Sequence, residues 1–344
     1  MSKKRSVTAV LAGALCLVTA GCASSSTETA GDKSSTSAPG SGYPVTITNC
    51  GQTETFTKAP SRVVVMNGGS VAEVSTLLAL GLGDRIVANE QAYGMSEVPD
   101  RAKAIKALPT GDISLNDAGD IPREAMLSLR PDFVLSVTTY GFDAKNGFAT
   151  RQQLKTVSAN SYVSPQGCDD DPSKMAISDS YTLLRDMGKV FNVSTRAEKL
   201  IAASEKSIAS VSAKVKGAKK PKVMVLFAGT STDSNAFSWV AAKGIFNDIL
   251  TKAGGTNAFE SASKTMFADL SKEKAAATDI DALVVISANS PHPTAYAKQL
   301  LKEFPQWPAA KNNTYTVLSD SVYLGPSNDL AVDKIARVLH PDAF

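Results

Sequence analysis

The sequence predicts an α/β protein with two Rossmann-like lobes, joined by a single long rigid helix and separated by a ligand cleft. Two short apolar runs that begin similar strand–loop–helix series, a recurring helix-to-strand unit, and a long amphipathic stretch between the series support this prediction. Roughly 300 residues follow the N-terminal segment, more than one small core uses. The predicted parts are a leader, a tether, a first lobe, a helical connector and a second lobe: residues 1–21, 22–42, 43–178, 179–220 and 221–344.

The leader has the features of a signal peptide. Basic residues at positions 3–5 precede the apolar stretch Val7 to Val18, which is too short to span a hydrocarbon layer of about 30 Å as a helix. The stretch ends in Thr19-Ala20-Gly21-Cys22, which resembles a bacterial lipobox although Thr19 is a weaker residue there than Leu. We expect export and lipidation of Cys22, palmitate included; the alternative is that Cys22 is only a small residue near a cleavage site.

The residues after Cys22 predict a flexible tether. Residues 23–42 are rich in Ser, Thr, Gly and charged side chains and have no apolar cluster to bury, so nothing favours a folded structure. A coil of about 20 such residues has a mean reach of about 25 Å. The folded part would therefore be held at the extracytoplasmic face of the cell membrane.

Charge and cysteine usage narrow the class of protein. The net charge of +3 is accounted for by the three basic residues of the leader, which leaves the rest neutral and argues against a nucleic-acid partner. Once the leader and Cys22 are set aside, Cys50 and Cys168 remain in an oxidising compartment. We predict a disulfide between them. Two buried free thiols are the alternative, and a metal site is disfavoured because neither has a nearby Cys or His.

Each lobe is predicted to begin with a buried strand. Val63 to Met66 and Val223 to Phe227 are β-rich runs typical of parallel sheets. The first run is followed by a polar loop and a helical pattern ending at Gly81. The second is followed by a longer polar loop and a helix ending at Gly254.

A second pattern also occurs twice. Glu124 opens a short helix, and eight residues later Asp132 introduces the run Phe133 to Val137. Glu273 and Asp281 repeat this order before the run Ala282 to Ser287. The match predicts an internal duplication.

A long helix is predicted between the lobes. Ser194 or Thr195 can cap a helix that runs to about Gly217, and apolar or small residues recur on one face. About 22 residues at 1.5 Å each make a rod of about 33 Å. The ligand cleft would then lie between the lobes, at the carboxyl ends of the strands.

The chain lacks the motifs of common enzymes. Its histidines are His292 and His340, and no nucleophile elbow, P-loop or paired metal-ligand spacing occurs. We therefore expect neither catalysis nor a bound metal. His292 follows a strand and could ligate a metal or haem, but a solvated loop residue is the favoured interpretation; His340 is expected to be a cation at a helix C-terminus.

Taken together, these residues resemble the substrate-binding lipoproteins of ABC importers for ferric siderophores, haem and cobalamin, the periplasmic-binding-protein-like solute-binding family 8. The resemblance spans nearly the whole mature chain and is carried by Pro60 to Met66 with Ala72-Glu73, Leu78 to Val87, Leu127 to Asp132, Ala253 to Phe259, Gly325-Pro326 and His340-Pro341. It implies a monomer without a cofactor of its own, in which iron enters only within a chelate. The segments around Cys50 and Cys168 resemble Gram-positive members, in which this pair is bridged.

The resemblance also implies how the protein works with its partner. Glu124 and Glu273 match the positions that contact the dimeric permease, which acts with its ATPase. The alternative is that both carboxylates only interact favourably with the dipoles of their own helices, at the N-terminal ends. A sensor or adhesion lipoprotein that delivers no cargo would share the anchor and the lobes without needing this pair.

The predicted ligand contacts are aromatic and hydrogen-bonding residues in the strand-end loops: Asn67, Gln91, Tyr93, Asp112, Thr139, Tyr140, Phe142, Ser231, Asp233, Phe237, Trp239, Phe267, Asn289 and Tyr323. Such a lining suits a bulky ferric siderophore that brings its own iron ligands. Arg151 and Lys243 are the nearest cations, so a near-neutral hydroxamate is favoured over an anionic catecholate. Cobalamin, haem and other organic cofactors are alternative ligands, and haem would use His292 or Tyr140.

Overall fold

The fold is taken from a computed structural model that describes residues 42–68, 70–92, 96–117, 119–168, 171–229, 235–287, 290–319 and 325–344. Residues Gly42 to Phe344 cluster as one compact unit. This unit contains a two-stranded hairpin and two larger sheets, and we call the two larger sheets with their helices the first and second lobes.

A hairpin that the sequence did not predict opens the folded chain. Strand β1 (Val45–Asn49) pairs antiparallel with β2 (Gln52–Phe56). The two turn residues, Cys50 and Gly51, both have positive φ, at 48° and 71°, as a tight two-residue hairpin turn requires. Alternate side chains of both strands are buried, so the hairpin covers one flank of the first lobe.

The first lobe contains a parallel sheet with the order β4-β3-β5-β6. Its central strands are short and apolar and buried on both faces, as strands covered by helices are. The strands are β3 (Val63–Val65), β4 (Ile86–Asn89), β5 (Phe133–Ser136) and β6 (Asn160–Val163), and the helices are α1 (Ala72–Ala79), α2 (Arg101–Lys106), α3 (Arg123–Ser128) and α4 (Arg151–Thr156).

Two helices, and not one, occupy the predicted connector. Helix α5 (Ile177–Val190) packs antiparallel against α6 (Ser194–Lys214), with Gly188 against Ala197. The N-cap of α6 is Val193, without a side-chain cap, so neither Ser194 nor Thr195 caps this helix. The predicted apolar face is buried along α6.

Helix α6 contacts both lobes. Near its start, Arg196 Nε donates to Ala79 O at 2.9 Å, and near its end Ser212 Oγ donates to Lys252 O at 2.9 Å. Helix α5 contacts the second lobe where it begins, because the Ile177 N–H donates to the Asp248 carboxylate at 3.0 Å. The α5–α6 hairpin therefore holds the two lobes together.

The second lobe contains a mixed sheet. Strands β7, β11 and β12 are parallel. Strand β8 pairs antiparallel with β7, β10 pairs antiparallel with β8, and β9 pairs in parallel with the start of β7. The strands are β7 (Lys222–Phe227), β8 (Ala236–Ala241), β9 (Thr256–Asn257), β10 (Phe267–Ser271), β11 (Ala282–Ile286) and β12 (Tyr315–Leu318). The helices are α7 (Ile245–Lys252), α8 (Lys272–Ala276), α9 (Pro293–Glu303), α10 (Pro308–Asn312) and α11 (Asn328–Leu339). Strand β8 lies within the stretch that the sequence indicated as a loop.

The structure contains the repeated unit that the sequence predicted. In the first lobe α3 leads into β5, which pairs in parallel with β3; in the second, α8 leads into β11, which pairs in parallel with β7. At the start of the paired strands, Arg62 is joined to Asp132 and Lys222 is joined to Asp281 by backbone and carboxylate hydrogen bonds. The two lobes therefore share one core design.

Candidate functional site

The carboxyl ends of the two sheets face each other. Glu97, in the loop after β4, accepts the backbone N–H of Ser319, at the end of β12, at 3.0 Å. A Cβ added to Gly325 would lie 3.1 Å from the Cα of Ala72, at the start of α1. Loops at the ends of parallel strands commonly bind ligands. We call these facing loops the first rim (residues 66–68, 90–92, 96–100 and 137–142) and the second rim (residues 227–229, 239, 287, 319 and 325–327).

Trp239 lies on the second rim with a strained backbone. Leu226 pairs with Val240, so the antiparallel register places Trp239 beside Phe227, at the carboxyl end of β7. The register between β8 and β10 shifts at this point, and Trp239 has φ of 61°. A bulky residue rarely takes this conformation, and its indole is nevertheless 56% exposed. Strain at an exposed aromatic residue is typical of functional positions.

An aromatic cluster supports the Trp239 indole. The Phe267 ring centroid lies 5.1 Å from that of Trp239, and Phe227 lies 5.5 Å from Phe267. Phe246 completes the cluster 6.2 Å from Phe227. Phe237, which the sequence placed among the ligand contacts, is completely buried in the core instead. Regular alternation would put Phe237 and Trp239 on one face of β8, and the register shift against β10 separates them.

Tyr140 is the exposed aromatic residue of the first rim. It lies in the short 3-10 turn Thr139–Phe142 that follows β5, and its side chain is 52% exposed. The edge of its ring packs against buried Phe148 at 5.6 Å. Phe142, another predicted contact, is buried in the core of the first lobe. Thus Tyr140, not Phe142, presents an aromatic surface at this rim.

Asn67 belongs to a polar cluster at the ends of β3 and β4. Its backbone N–H donates to the Asp120 carboxylate at 3.1 Å, and its side-chain amide donates to Gly119 O at 2.8 Å. Burial and the nearby Asp120 carboxylate raise the pKa of Glu90 to about 7. Burial also raises the pKa of Asp120, against hydrogen bonds from Asn67 and Ile121 that lower it. The first rim therefore carries acidic groups.

Gln91 supports the first rim from the interior of the first lobe. The residue is completely buried, and its amide donates to Met66 O at 3.0 Å, to Asn67 O at 3.2 Å and to the Glu73 carboxylate at 2.8 Å. The Ser164 hydroxyl donates to the other oxygen of Glu73. Burial raises the pKa of Glu73. Gln91 was predicted to touch a ligand, but this network uses it to hold the loop that carries Asn67.

The cations that the sequence placed nearest the ligand have other positions. Arg151 is buried beneath the β1–β2 hairpin, where it pairs with Glu54 at 3.3 Å and donates to Asn49 O at 2.9 Å. It therefore belongs to the fold of the first lobe and not to a rim. Lys243 is partly buried just after β8, where the antiparallel register with β7 carries the chain away from the second rim. Asp112 is exposed in a turn with φ of 51°.

The predicted disulfide between Cys50 and Cys168 is present. It joins the turn of the β1–β2 hairpin to the loop after β6, across 118 residues of sequence. The neighbouring Gly167 packs so closely on the first rim that an added Cβ would lie 1.9 Å from Val137 O. The bridge therefore braces the backbone that leads to Tyr140.

Comparison with known proteins identifies the family. The profile described as periplasmic binding protein matches residues 64–322. The chain belongs to this family. Members of the family are carriers and not enzymes, and they function outside the cytoplasm. A search of curated proteins found no significant match.

Solved structures show the same fold. This periplasmic binding protein resembles an Fe3+-hydroxamate transport protein from Saccharomonospora viridis, with a TM-score of 0.68, 23% identity, and coverage of 86% of this chain and 99% of that one. It also resembles the apo heme-binding protein RhuT from Roseiflexus, with a TM-score of 0.61, 22% identity, and coverage of 83% and 99%. A Helicobacter pylori protein with Ni(II) bound gives a TM-score of 0.61 at 20% identity, with coverage of 87% and 90%.

Two carboxylates occupy equivalent outer positions in this periplasmic binding protein. Glu124 lies in the first turn of α3 and Glu273 in the first turn of α8, and both are exposed. Arg123 pairs with Glu124 at 2.6 Å, and hydrogen bonding from this guanidinium lowers the pKa of Glu124. Each lobe thus presents one acidic group at the same point of the repeated unit.

The histidines of the binding protein have different positions. His340 Nε2 lies 3.1 Å from Gly254 O, so the ring packs on the C-terminal end of α7. His292 is exposed immediately before α9. Within the described ranges, no group of three or more His, Cys, Asp or Glu residues could hold a metal ion. No helix in the same ranges has both the length and the apolar character needed to cross a bilayer.

Several predicted residues lie outside the described part of the chain: Cys22, Tyr93, Ser231, Asp233, Asn289 and Tyr323.

Two grooves lie on the outer surface, one of about 430 Å³ beside β2 and one of about 450 Å³ between α5, α6 and α7. Neither groove is lined by Trp239 or Tyr140. We place the site at the rims because strain and exposed rings coincide there. Glu90 and Glu97 were not predicted as site residues, although both follow β4, and a position after a strand end was the signal that could have identified them.

Proposed function

We propose that this protein is the substrate-binding component of an ABC importer and captures an iron(III)–siderophore complex between its rims. The observation that carries this proposal is the exposed, strained Trp239 on one rim with exposed Tyr140 on the other. Two aromatic faces can enclose a bulky, partly apolar chelate that already satisfies its iron. The fold shared with an Fe3+-hydroxamate transport protein is consistent with this substrate.

Charge favours a hydroxamate over a catecholate. The buried pair of Arg151 with Glu54 keeps that guanidinium away from the rims. The first rim instead carries Glu90 beside Asp120. The ionised form of these carboxyls would repel a strongly anionic catecholate. It would not repel a neutral or cationic hydroxamate.

Attachment and delivery complete the proposal. We propose that lipid on Cys22 and the tether of residues 23–42 keep the protein at the extracytoplasmic face of a Gram-positive cell membrane. Glu124 and Glu273 would contact the two subunits of the permease, since equivalent carboxylates suit a partner with two-fold symmetry. The protein would act as a monomer.

A thermal-shift screen tests the ligand class. Purified protein would be heated with a ferric trihydroxamate, a ferric catecholate, haem and cobalamin. A ligand at about 100 times its dissociation constant adds about 2.7 kcal/mol to the free energy of unfolding, so the hydroxamate should raise the melting temperature. Haem is the second candidate because the exposed Tyr140 phenol could ligate its iron, and a Soret band would reveal it. No shift with any iron chelate would refute the proposal.

A further inference from the structure

The side chain of Glu97 reaches from the first rim to the second. Its two carboxylate oxygens accept the backbone N–H of Ser319 at 3.0 and 3.1 Å, and the Ser319 hydroxyl donates to it as well. Lys334, on α11, lies 3.2 Å from the same carboxylate. The Glu97 side chain is only 13% exposed. Three donors from the second lobe therefore converge on one carboxylate of the first.

The loop that carries Glu97 is anchored to its own lobe. The Val98 N–H donates to Ser96 Oγ at 3.2 Å, and the Arg101 N–H donates to Val98 O at 3.2 Å. The Arg101 guanidinium donates to Ser75 O in α1. These bonds fix the carboxylate relative to α1.

Ser319 is fixed in the second lobe to a similar extent. It is buried and directly follows β12. The preceding residue, Leu318, accepts the Ser287 N–H at 2.7 Å and so holds the strand end to the end of β11. With both partners anchored, the Glu97–Ser319 contact defines how far apart the rims are.

We propose that Glu97 is a positioning residue that holds the two rims at the separation needed to retain a bound chelate. Hydrogen bonds to a charged acceptor are about twice as strong as neutral ones, so losing this carboxylate should let the rims move apart. Opening precedes release, and affinity changes within one complex fall mainly on the dissociation rate. The retention role rests on the proposed function, whereas the control of rim separation does not.

The first test measures rim separation without any ligand. Spin labels would be placed at exposed Lys106 and Lys311, on α2 and α10, in a chain carrying Cys22→Ser. Glu97→Ala should lengthen and broaden the distance distribution between the labels. Glu97→Gln should restore most of the wild-type distribution, because it keeps an oxygen for the Ser319 N–H. An unchanged distribution in Glu97→Ala would overturn the proposal.

The matched control removes an ion pair within one lobe. Lys272 and Glu303 pair at 2.7 Å in the second lobe, so Glu303→Ala should leave the distance distribution as it is in the wild type. Equal lengthening in Glu303→Ala would show a general loss of stability and would also overturn the proposal.

The second test measures retention. With ferrioxamine B, an iron(III) trihydroxamate, as the probe, Glu97→Ala should raise the dissociation rate about tenfold, about 1.4 kcal/mol, and change the association rate little. Equal rates in the variant and the wild type would overturn the retention role. If ferrioxamine B fails to bind the wild type, the ligand assignment fails, and the distance measurement still decides the role of Glu97.

Discussion

Asp132 and Asp281 hold equivalent positions in the two lobes, each directly before a central strand and each bonded to a residue at the start of the neighbouring strand. The Asp132 carboxylate accepts the Arg62 N–H at 2.8 Å, and the Asp281 carboxylate accepts the Lys222 N–H at 2.8 Å. In return, the N–H groups of the aspartates donate to Arg62 O and Lys222 O at 3.0 and 2.8 Å. These reciprocal bonds align β5 with β3 in the first lobe and β11 with β7 in the second lobe.

Asp132→Ala should destabilise the protein more than Asp281→Ala. The Asp132 carboxylate also accepts the backbone N–H and the hydroxyl of Ser61, both at 2.8 Å. These donors are exposed, so water can replace the lost acceptor and we expect a loss of only about 1 kcal/mol in the free energy of unfolding for Asp132→Ala. Urea unfolding measures it. Exposed Asp279 provides the control, since Asp279→Ala should change little; equal losses in all three variants would contradict the prediction.

Trp239→Gly should abolish chelate binding without destabilising the protein. Glycine accepts φ of 61° without strain, and an indole that is 56% exposed contributes little buried area. Relief of strain of about 1–3 kcal/mol can offset the lost packing on Phe267. Titration with a ferric hydroxamate and thermal unfolding would be measured on the same sample. By contrast, Phe237→Ala should cost about 3–5 kcal/mol; a Trp239→Gly variant that still bound the chelate would exclude this ring from the site.

The free energy of unfolding should fall as the pH rises towards and beyond 7. The pKa of Glu90 is raised to about 7 in the folded protein, mainly by burial and then by Asp120. A raised acid pKa gives stability that is fully present below the unfolded value of about 4.5 and is lost as the pH passes the folded value. Glu73 and Asp120 act in the same direction because burial raises both pKa values.

Glu90→Gln isolates the contribution of Glu90. The variant should have a flatter profile of unfolding free energy between pH 4.5 and 8, measured by urea denaturation at each pH. Glu198→Gln, at an exposed site on α6, should keep the wild-type slope. A Glu90→Gln profile as steep as that of the wild type would mean that other carboxyls account for the dependence.

Removing the Cys50–Cys168 disulfide should weaken both stability and binding. The bridge spans 118 residues of sequence, and losing a native disulfide typically costs about 2–5 kcal/mol. Because Gly167 packs on Val137 next to the first rim, we expect Tyr140 to lose its fixed position as well. Cys50→Ser with Cys168→Ser would be compared with the wild type by thermal unfolding and chelate titration. Unchanged chelate affinity would separate the bridge from the rim.

Reversing Glu124 and Glu273 together should abolish uptake and leave chelate binding intact. Both carboxylates are exposed in the first turns of α3 and α8 and belong to neither rim, so Glu124→Lys with Glu273→Lys should repel the permease without disturbing the cleft. Uptake of iron-55 chelate by cells would be measured beside binding by the purified variant. Glu260→Lys, at another exposed site, serves as the control; normal uptake by the double variant would show that this pair of carboxylates does not dock the permease.

Local patterns in the sequence predicted much of the core. The runs at Val63, Phe133, Val223 and Ala282 each begin or lie within a strand of the described structure, because parallel strands buried on both faces are continuously apolar. The β1–β2 hairpin and β8 were missed. Their residues alternate or are partly polar, and such short segments become strands through their partners rather than through their own pattern.

The sequence by itself predicted the pairing of Cys50 with Cys168, which the structure contains, and the repeated unit of each lobe; the leader with its cysteine motif stays a prediction. Only the tertiary structure decided the roles of individual polar residues. Arg151 pairs with Glu54 and Glu97 bonds to Ser319, and Trp239 is exposed by a register shift against β10. Hydrophobic periodicity records which face of an element is buried, but it carries no information on which distant donor meets a given carboxylate, since that depends on how separate elements pack.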